Sequence, residues 1–272
     1  ADLIEKHTLE LAVLGVRDNG TEISMALRAE PGSAAGTFRY YAETVDKVYG
    51  EIAPTARNVL GLIHREPVGV VAAIVPWNFP LMIGAWKIAP ALAAGCGFVV
   101  RPASLTPLSA LAMGKLAEEA GIPEGLFSVV TTTSSSEAGK EFCENPLVRK
   151  LTFTGSTEVG RILLKQAADQ VMKCSMELGG NAPFIVFDDA DLDAAVMGAI
   201  ACKFRNNGQT CVCANRIYVQ AGVYDDFAAK LKVAVEALKI GDGLNEVTQL
   251  GPLIEASAID KVQEHLEDAL SK

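Results

Sequence analysis

The sequence is poor in the residues that mark several kinds of site. Only three histidines occur in 272 residues, His7, His64 and His265, and they are scattered. No Cys/His pattern for zinc can be drawn from them, and no metal site is expected. The six cysteines (Cys96, Cys143, Cys174, Cys202, Cys211 and Cys213) lack the spacing of a disulfide framework. Reduced thiols in a cytoplasmic compartment are the expectation. No stretch reaches the ~18 uninterrupted apolar residues of a membrane span. The most apolar one, residues 67–100, is broken by Asn78, Lys87, prolines and glycines. The start, ADLIEKHTLELAVL, is amphipathic and unlike a signal peptide. Basic residues are outnumbered 24 to 33, giving a formal net charge of −9 without any Lys/Arg cluster. That balance argues against nucleic acid as a partner. A first residue other than Met and an end inside a helical pattern suggest a fragment of a longer protein.

Half of the residues are apolar but only 6% are aromatic. Small and β-branched residues of this kind suit helices packed on a parallel sheet. Along the chain, two helices are expected over 1–46, around a polar break at Asp18-Asn19-Gly20. An exposed linker should follow at 51–65. Strands are then expected at 70–75, 97–100, 126–130 and 149–154. Helices should alternate with them at 81–94, 107–120, 137–144 and 158–170. Thr106 is the expected N-cap of the second of these helices, with Pro107 at its first position. The alternation resumes with a strand at 184–187, a helix at 192–205, a strand at 216–219 and a helix at 224–239. This is the pattern of a doubly wound, Rossmann-like α/β sheet with the start of a second α/β domain. Gly179-Gly180 is the natural joint, so the expected domains are 1–178 and 179–272.

Four segments carry candidate chemistry. Cys211 follows an Asn-Asn-Gly-Gln turn that would hold a thiol exposed, and a thiolate attacks carbonyl carbon. A buried structural cysteine is the alternative reading. Glu177 lies between Met176 and Leu178-Gly179-Gly180, an apolar setting that would raise its pKa toward that of a general base. An ordinary helix-end glutamate would look the same. In Pro76-Trp77-Asn78-Phe79-Pro80, two prolines stiffen a loop whose Asn78 amide would donate to an oxyanion. Here the alternative is a structural turn. Finally, Gly155-Ser156-Thr157 joins a strand to a helix and would offer backbone N–H groups to an anion. The GxGxxG fingerprint of common dinucleotide folds is absent, so that loop alone is weak evidence.

Taken in order, PWNFP, Arg101-Pro102-Ala103-Ser104, FTGSTEVG, ELGG and GQTC resemble the aldehyde dehydrogenase superfamily over nearly the whole chain. The 34-residue step from Glu177 to Cys211 and the 133-residue step from Asn78 to Cys211 fit it too. The resemblance implies that Cys211 attacks the aldehyde, Asn78 and the Cys211 N–H hold the oxyanion, and Glu177 activates water. It also implies NAD(P) contacts at Trp77, Asn78, Arg101, Pro102, Ala103, Ser104, Gly155, Ser156 and Leu178. The usual Lys is Arg101 here, and Ser104 stands where many NAD-preferring members carry Glu. NADP, or dual use, is therefore expected ahead of NAD alone. FRNNGQTCVCANR and NAPFIVFDDADLD look like succinate-semialdehyde dehydrogenases, in which the Arg matching Arg205 holds the substrate carboxylate. A second anchoring Arg is replaced by Trp86, as in members that take aliphatic, aromatic or amino aldehydes. In some semialdehyde dehydrogenases a C-x-C pair like Cys211 and Cys213 oxidises reversibly; a filler thiol is the alternative at 213. An acylating relative would lack the base at Glu177, and a non-catalytic relative would tend to lose Cys211 or the cofactor site. Homodimers or homotetramers are the assembly the resemblance implies.

Overall fold

The computed structural model describes residues 1–272. The chain forms two compact units, residues 1–11 with 28–177 and residues 12–27 with 178–272. Its elements are α1 (Asp2–Lys6), α2 (Thr8–Asn19), α3 (Ile23–Thr44), β1 (Glu51–Ala53), β2 (Gly61–Ile63), β3 (Val70–Ile74), α4 (Pro80–Ala93), β4 (Gly97–Arg101), α5 (Leu108–Glu119), β5 (Phe127–Val129), α6 (Ser135–Glu144), β6 (Val148–Thr154), α7 (Thr157–Ala167), β7 (Lys173–Glu177), β8 (Ala182–Val186), α8 (Leu192–Lys203), β9 (Ala214–Val219), α9 (Tyr224–Glu236) and α10 (Ala256–Ser271). None of these helices is long and apolar enough to cross a membrane.

The first unit is built on a five-stranded sheet in the order β5-β4-β3-β6-β7. All its neighbouring pairs are parallel. The first strand of the series, β3, therefore lies in the middle, and the chain winds outward from it in both directions. Val71, Ala73, Val75, Phe98 and Val100 share one core with Leu81, Ala85 and Ile88 of α4. Phe98 is 1% exposed. Burying such a side chain contributes roughly 2–3 kcal/mol. Strands covered on both faces explain why β3 and β4 read as apolar runs without alternation. The helices stop where glycine takes a left-handed conformation. Gly95 (φ +75°) and Gly121 (φ +80°) follow α4 and α5. At each, the next N–H reaches back to a helix carbonyl, Cys96 to Ala91 and Ile122 to Ala117, both at 3.0 Å.

Three local expectations need correction. Residues 51–65 contain β1 and β2, an antiparallel pair in register from Glu51 with Ile63 to Ala53 with Gly61. The segment is exposed as expected, with Ile52, Leu62 and Ile63 open to solvent, but it is paired rather than irregular. Thr106 caps nothing: α5 starts at Leu108, its N-cap position is Pro107, and the buried Thr106 hydroxyl has no hydrogen-bond partner. Glu177 ends β7, a strand with no counterpart among the expected elements, which removes the helix-end alternative. The eieie burial of β7 is the alternation of an edge strand, which the short segment hid.

In the second unit β8 and β9 pair in parallel, with α8 as their crossover. Asp191 caps α8, its carboxylate accepting from the N–H groups of Asp193 (3.0 Å) and Ala194 (3.1 Å). Val186, Val196, Ala199 and Phe227 form the core between sheet and helices. Ile185, Phe187 and Tyr218 remain exposed.

Candidate active site

Strand order places the first unit's candidate residues. In a doubly wound sheet, ligands bind beyond the carboxyl ends of the strands, where the order reverses. Here the reversal falls between β3 and β6, since β4 continues on one side of β3 and β6 pairs on the other. The loop after β3 carries Trp77 and Asn78, and the loop after β6 carries Gly155 and Ser156. Both side chains of the first loop are half-buried. Asn78 Oδ1 accepts from the Phe79 N–H at 3.1 Å, which sets the sense of the amide, with Nδ2 as its donor end. A Cβ at Gly155 would lie 2.5 Å from the buried Phe153 ring, so any larger residue would have to push that ring aside. Ser156 is the N-cap of α7, its hydroxyl accepting from the Val159 N–H at 3.3 Å.

Arg101 ends β4 and is 8% exposed. Its guanidinium donates to Ser104 Oγ at 2.7 Å and to Ser135 Oγ. Burial lowers its pKa. A cleft of about 720 Å³ opens beside it, lined by Pro102, Ala103, Ser104, Pro107 and Thr131–Thr133. Ser135, at the start of α6, and the threonines before it lie about 30 residues downstream of Arg101, and it is the β4–β5 pairing that brings them beside it, so no local pattern announces them.

Glu177 is exposed, not enclosed in apolar surroundings as its neighbours suggested. At the end of the edge strand β7, its side chain has no strand on its far side. A second residue was missed here. Lys87, on α4, donates to Thr152 Oγ1 at 2.9 Å. Its pKa is pushed down to about 8, first by burial, against the opposing attraction of Glu177 and with a smaller push from Lys150. A lone cation within the apolar run of α4 was its signal in the sequence. Trp86, next to it, is 50% exposed and lines a groove of about 420 Å³ with Tyr40 and Tyr41.

The nucleophile candidate lies in the second unit. After α8 the chain makes a single tight turn, Arg205–Gly208. Asn206 (φ +49°), Asn207 (φ +59°) and Gly208 (φ +76°) are all left-handed. Asparagine and glycine tolerate this conformation best, which explains the Asn-Asn-Gly sequence. Asn207 Oδ1 accepts from the Gly251 N–H at 2.7 Å, and its Nδ2 donates to the Pro252 carbonyl at 3.1 Å. Gln209 Oε1 accepts from the Ile254 N–H at 3.0 Å. The strap at 251–254 was not identified from the sequence. Cys211 is exposed, whereas Cys213 is buried. The Cys213 thiol lies 2.8 Å from Thr210 Oγ1 and 3.4 Å from each of the Lys203 and Gly208 carbonyls. A Cβ at Gly180 would meet the Cys211 carbonyl at 2.8 Å, so the second glycine of ELGG makes room for the turn. Leu178 and Arg205 are half-buried.

The aldehyde dehydrogenase family model matches residues 1–272, and the chain belongs to that family. The chain is 54% identical over 272 residues to a glutarate-semialdehyde dehydrogenase of Pseudomonas aeruginosa, spanning 56% of that protein. It is 54% identical, again over 56% of the relative's length, to the NADP(+) succinate-semialdehyde dehydrogenase of Escherichia coli. A crystal structure described as an E. coli NADP dependent enzyme superposes with a TM-score of 0.96 at 52% identity, covering 99% of this chain and 56% of the other. The chain thus spans about half the length of the curated relatives it matches.

Proposed function

We propose that this chain is the cofactor-binding and nucleophile-bearing part of an NAD(P)-dependent aldehyde dehydrogenase acting on a semialdehyde such as succinate semialdehyde. Within the family, the observation that carries this reading is the presentation of Cys211: its thiol is exposed on a strained turn while Cys213 is tied to backbone carbonyls. In this reading residues 1–178 bind the cofactor, residues 179–272 belong to the catalytic domain, and the whole protein is a homodimer or homotetramer.

The Cys211 thiolate adds to the aldehyde carbon, forming a C–S bond as the carbonyl pair moves onto oxygen. Asn78 Nδ2 and the Cys211 N–H donate to that oxyanion. When bound, NAD(P)+ supplies the hydride acceptor that turns the thiohemiacetal into a thioester. Glu177 takes a proton from the water that attacks the thioester carbon; the C–S bond breaks, giving the carboxylic acid and the thiolate.

The residues of the first unit fit the cofactor. The glycine turn at 155, the helix start after it and the hydroxyl-lined cleft beside Arg101 suit phosphate and ribose groups. No carboxylate lines that cleft, and the Arg101 guanidinium holds Ser104 at its edge. A 2′-phosphate held there would face hydroxyls beside the Arg101 cation and no carboxylate, which favours NADP slightly over NAD. The two relatives named above act on aldehydes with a remote carboxylate, which supports Arg205 as the anchor for one. The aromatic groove of Trp86, Tyr40 and Tyr41 supports a second reading, a broader range of aliphatic or aromatic aldehydes.

The test is formation of reduced cofactor with succinate semialdehyde and, separately, propanal, using NADP+ and NAD+. Turnover that depends on Cys211 and is faster with succinate semialdehyde supports the main reading. Faster turnover of propanal supports the second, and none with either aldehyde defeats both.

A further inference from the structure

We infer that Glu30 is a positioning residue, which anchors the first turn of α4 and through it the 76–80 loop that carries Asn78. The inference rests on the proposed function only in taking Asn78 as the oxyanion donor.

The argument starts from an incomplete helix end. The first N–H groups of any helix lack intrahelical acceptors. The N-cap position of α4 is Phe79, which offers no side-chain acceptor, and Pro80 has no N–H to satisfy. That leaves the N–H groups of Leu81 and Met82, in a turn where Phe79, Pro80, Leu81 and Met82 are all buried away from water. Glu30, on α3, fills the gap. Its Oε2 accepts from the Met82 N–H at 2.8 Å, across 52 residues of sequence. The Leu81 N–H bonds the same carboxyl group.

The position is costly for a carboxylate. Glu30 is 5% exposed. Burial pushes its pKa up to about 7, opposed only by the Met82 and Leu81 N–H groups. No lysine, arginine or histidine contributes to its electrostatic surroundings. An apolar residue would fill this space without that desolvation cost. What an apolar residue does not supply is an acceptor for the two N–H groups, with a charge at the positive end of the helix. Three residues of the proposed chemistry hang on this turn: Asn78 two positions before it, and Trp86 and Lys87 on the helix it begins. A rigid start to α4 fixes the donor loop on one side and the helix face on the other.

The experiment compares the full chain with Glu30→Met, which fills the space without an acceptor, and Glu30→Gln, which keeps one. Amide hydrogen exchange at Leu81 and Met82 reads the anchor directly. The only two tryptophans, Trp77 and Trp86, flank it and report its environment by their emission. The Met variant should exchange Leu81 and Met82 at least about tenfold faster, with shifted tryptophan emission. Its kcat should fall by about 10²-fold while the aldehyde KM changes little, because a misplaced donor is felt in the transition state. The Gln variant should recover most of both. Wild-type exchange rates in the Met variant overturn the anchor, and faster exchange with unchanged kcat overturns the positioning role. Should the Met variant not fold, the unmodified chain decides the anchor: fast exchange of Leu81 and Met82 there sinks it. A wild type without aldehyde oxidation defeats the proposed function, while the exchange data still decide the anchor.

Discussion

The loop after β3 and the turn after α8 solve one problem in opposite ways. In the proposed reaction each must hold a reactive group at a fixed place beyond a regular element. The 76–80 loop is made rigid by two prolines and by a buried carboxylate under the helix that follows it. Three left-handed residues shape the turn before Cys211, and polar side chains tie it to a strap of backbone at 251–254. The first is held from below, by burial; the second is held from the side, by hydrogen bonds near the surface. Buried anchors are strong but sensitive to charge, whereas exposed ties contribute only about 1 kcal/mol each. Changes in the first region should therefore cost more than changes in the second, the nucleophile itself excepted.

That exception gives the largest expected effect. Cys211→Ala should lower kcat on the order of 10⁴-fold or more, as loss of a nucleophile does. Its exposure means that folding stability should move by less than about 0.5 kcal/mol. Cys213→Ala should do the reverse, costing on the order of 1–2 kcal/mol because its thiol is buried and bonded. Paired urea melts and steady-state rates check both; a Cys213 variant as inactive as the Cys211 variant would reverse their assignment. Asn78→Ala comes next, with kcat lower by about 10²–10³-fold. An unchanged kcat would remove Asn78 from the oxyanion role.

How much of this the sequence shows depends on the range of each interaction. The apolar runs of β3 and β4, the glycine stops at Gly95 and Gly121, and the Asn-Asn-Gly turn are local, and each is legible in a few residues. Order of motifs was enough to reach the family. Partners joined only through the fold were not legible. Glu30 meets Met82 across 52 residues, and Asn207 meets Gly251 across 44. Lys87 meets Thr152 because β3 and β6 are neighbours, a pairing that no local pattern announces. Glu177 was misjudged for the same reason: its apolar neighbours in sequence say nothing about which side of an edge strand it faces.

The buried charges of the first region predict how stability follows pH. Glu30 has its folded pKa raised to about 7 from 4.5, so the folded state holds the proton more tightly. Stability from this group should fall by about 3 kcal/mol as pH rises through that window. Lys87 has its folded pKa lowered to about 8 from 10.5, so here the unfolded state binds more protons. Stability should rise by about 3 kcal/mol from pH 8 to 10.5. Denaturant melts across pH, with Glu30→Gln and Lys87→Met as controls, test each slope. A slope that survives its control belongs to another group.

The smallest effect belongs to the exposed tie. Asn207 does two things: its backbone accepts φ +59°, and its side chain bonds Gly251 and Pro252. Ala loses both, whereas Gly loses only the side chain, because glycine enters the left-handed region without a steric cost. Asn207→Ala should therefore cost about 2 kcal/mol and Asn207→Gly about 1 kcal/mol. Equal losses would mean that the strap alone holds the turn, and a loss confined to Ala would mean that backbone conformation does. In either variant the rate at which an alkylating reagent modifies Cys211 reports whether the turn still presents the thiol. If that rate holds while stability drops, the turn is shaped locally by Asn206 and Gly208, and the strap only adds stability to it.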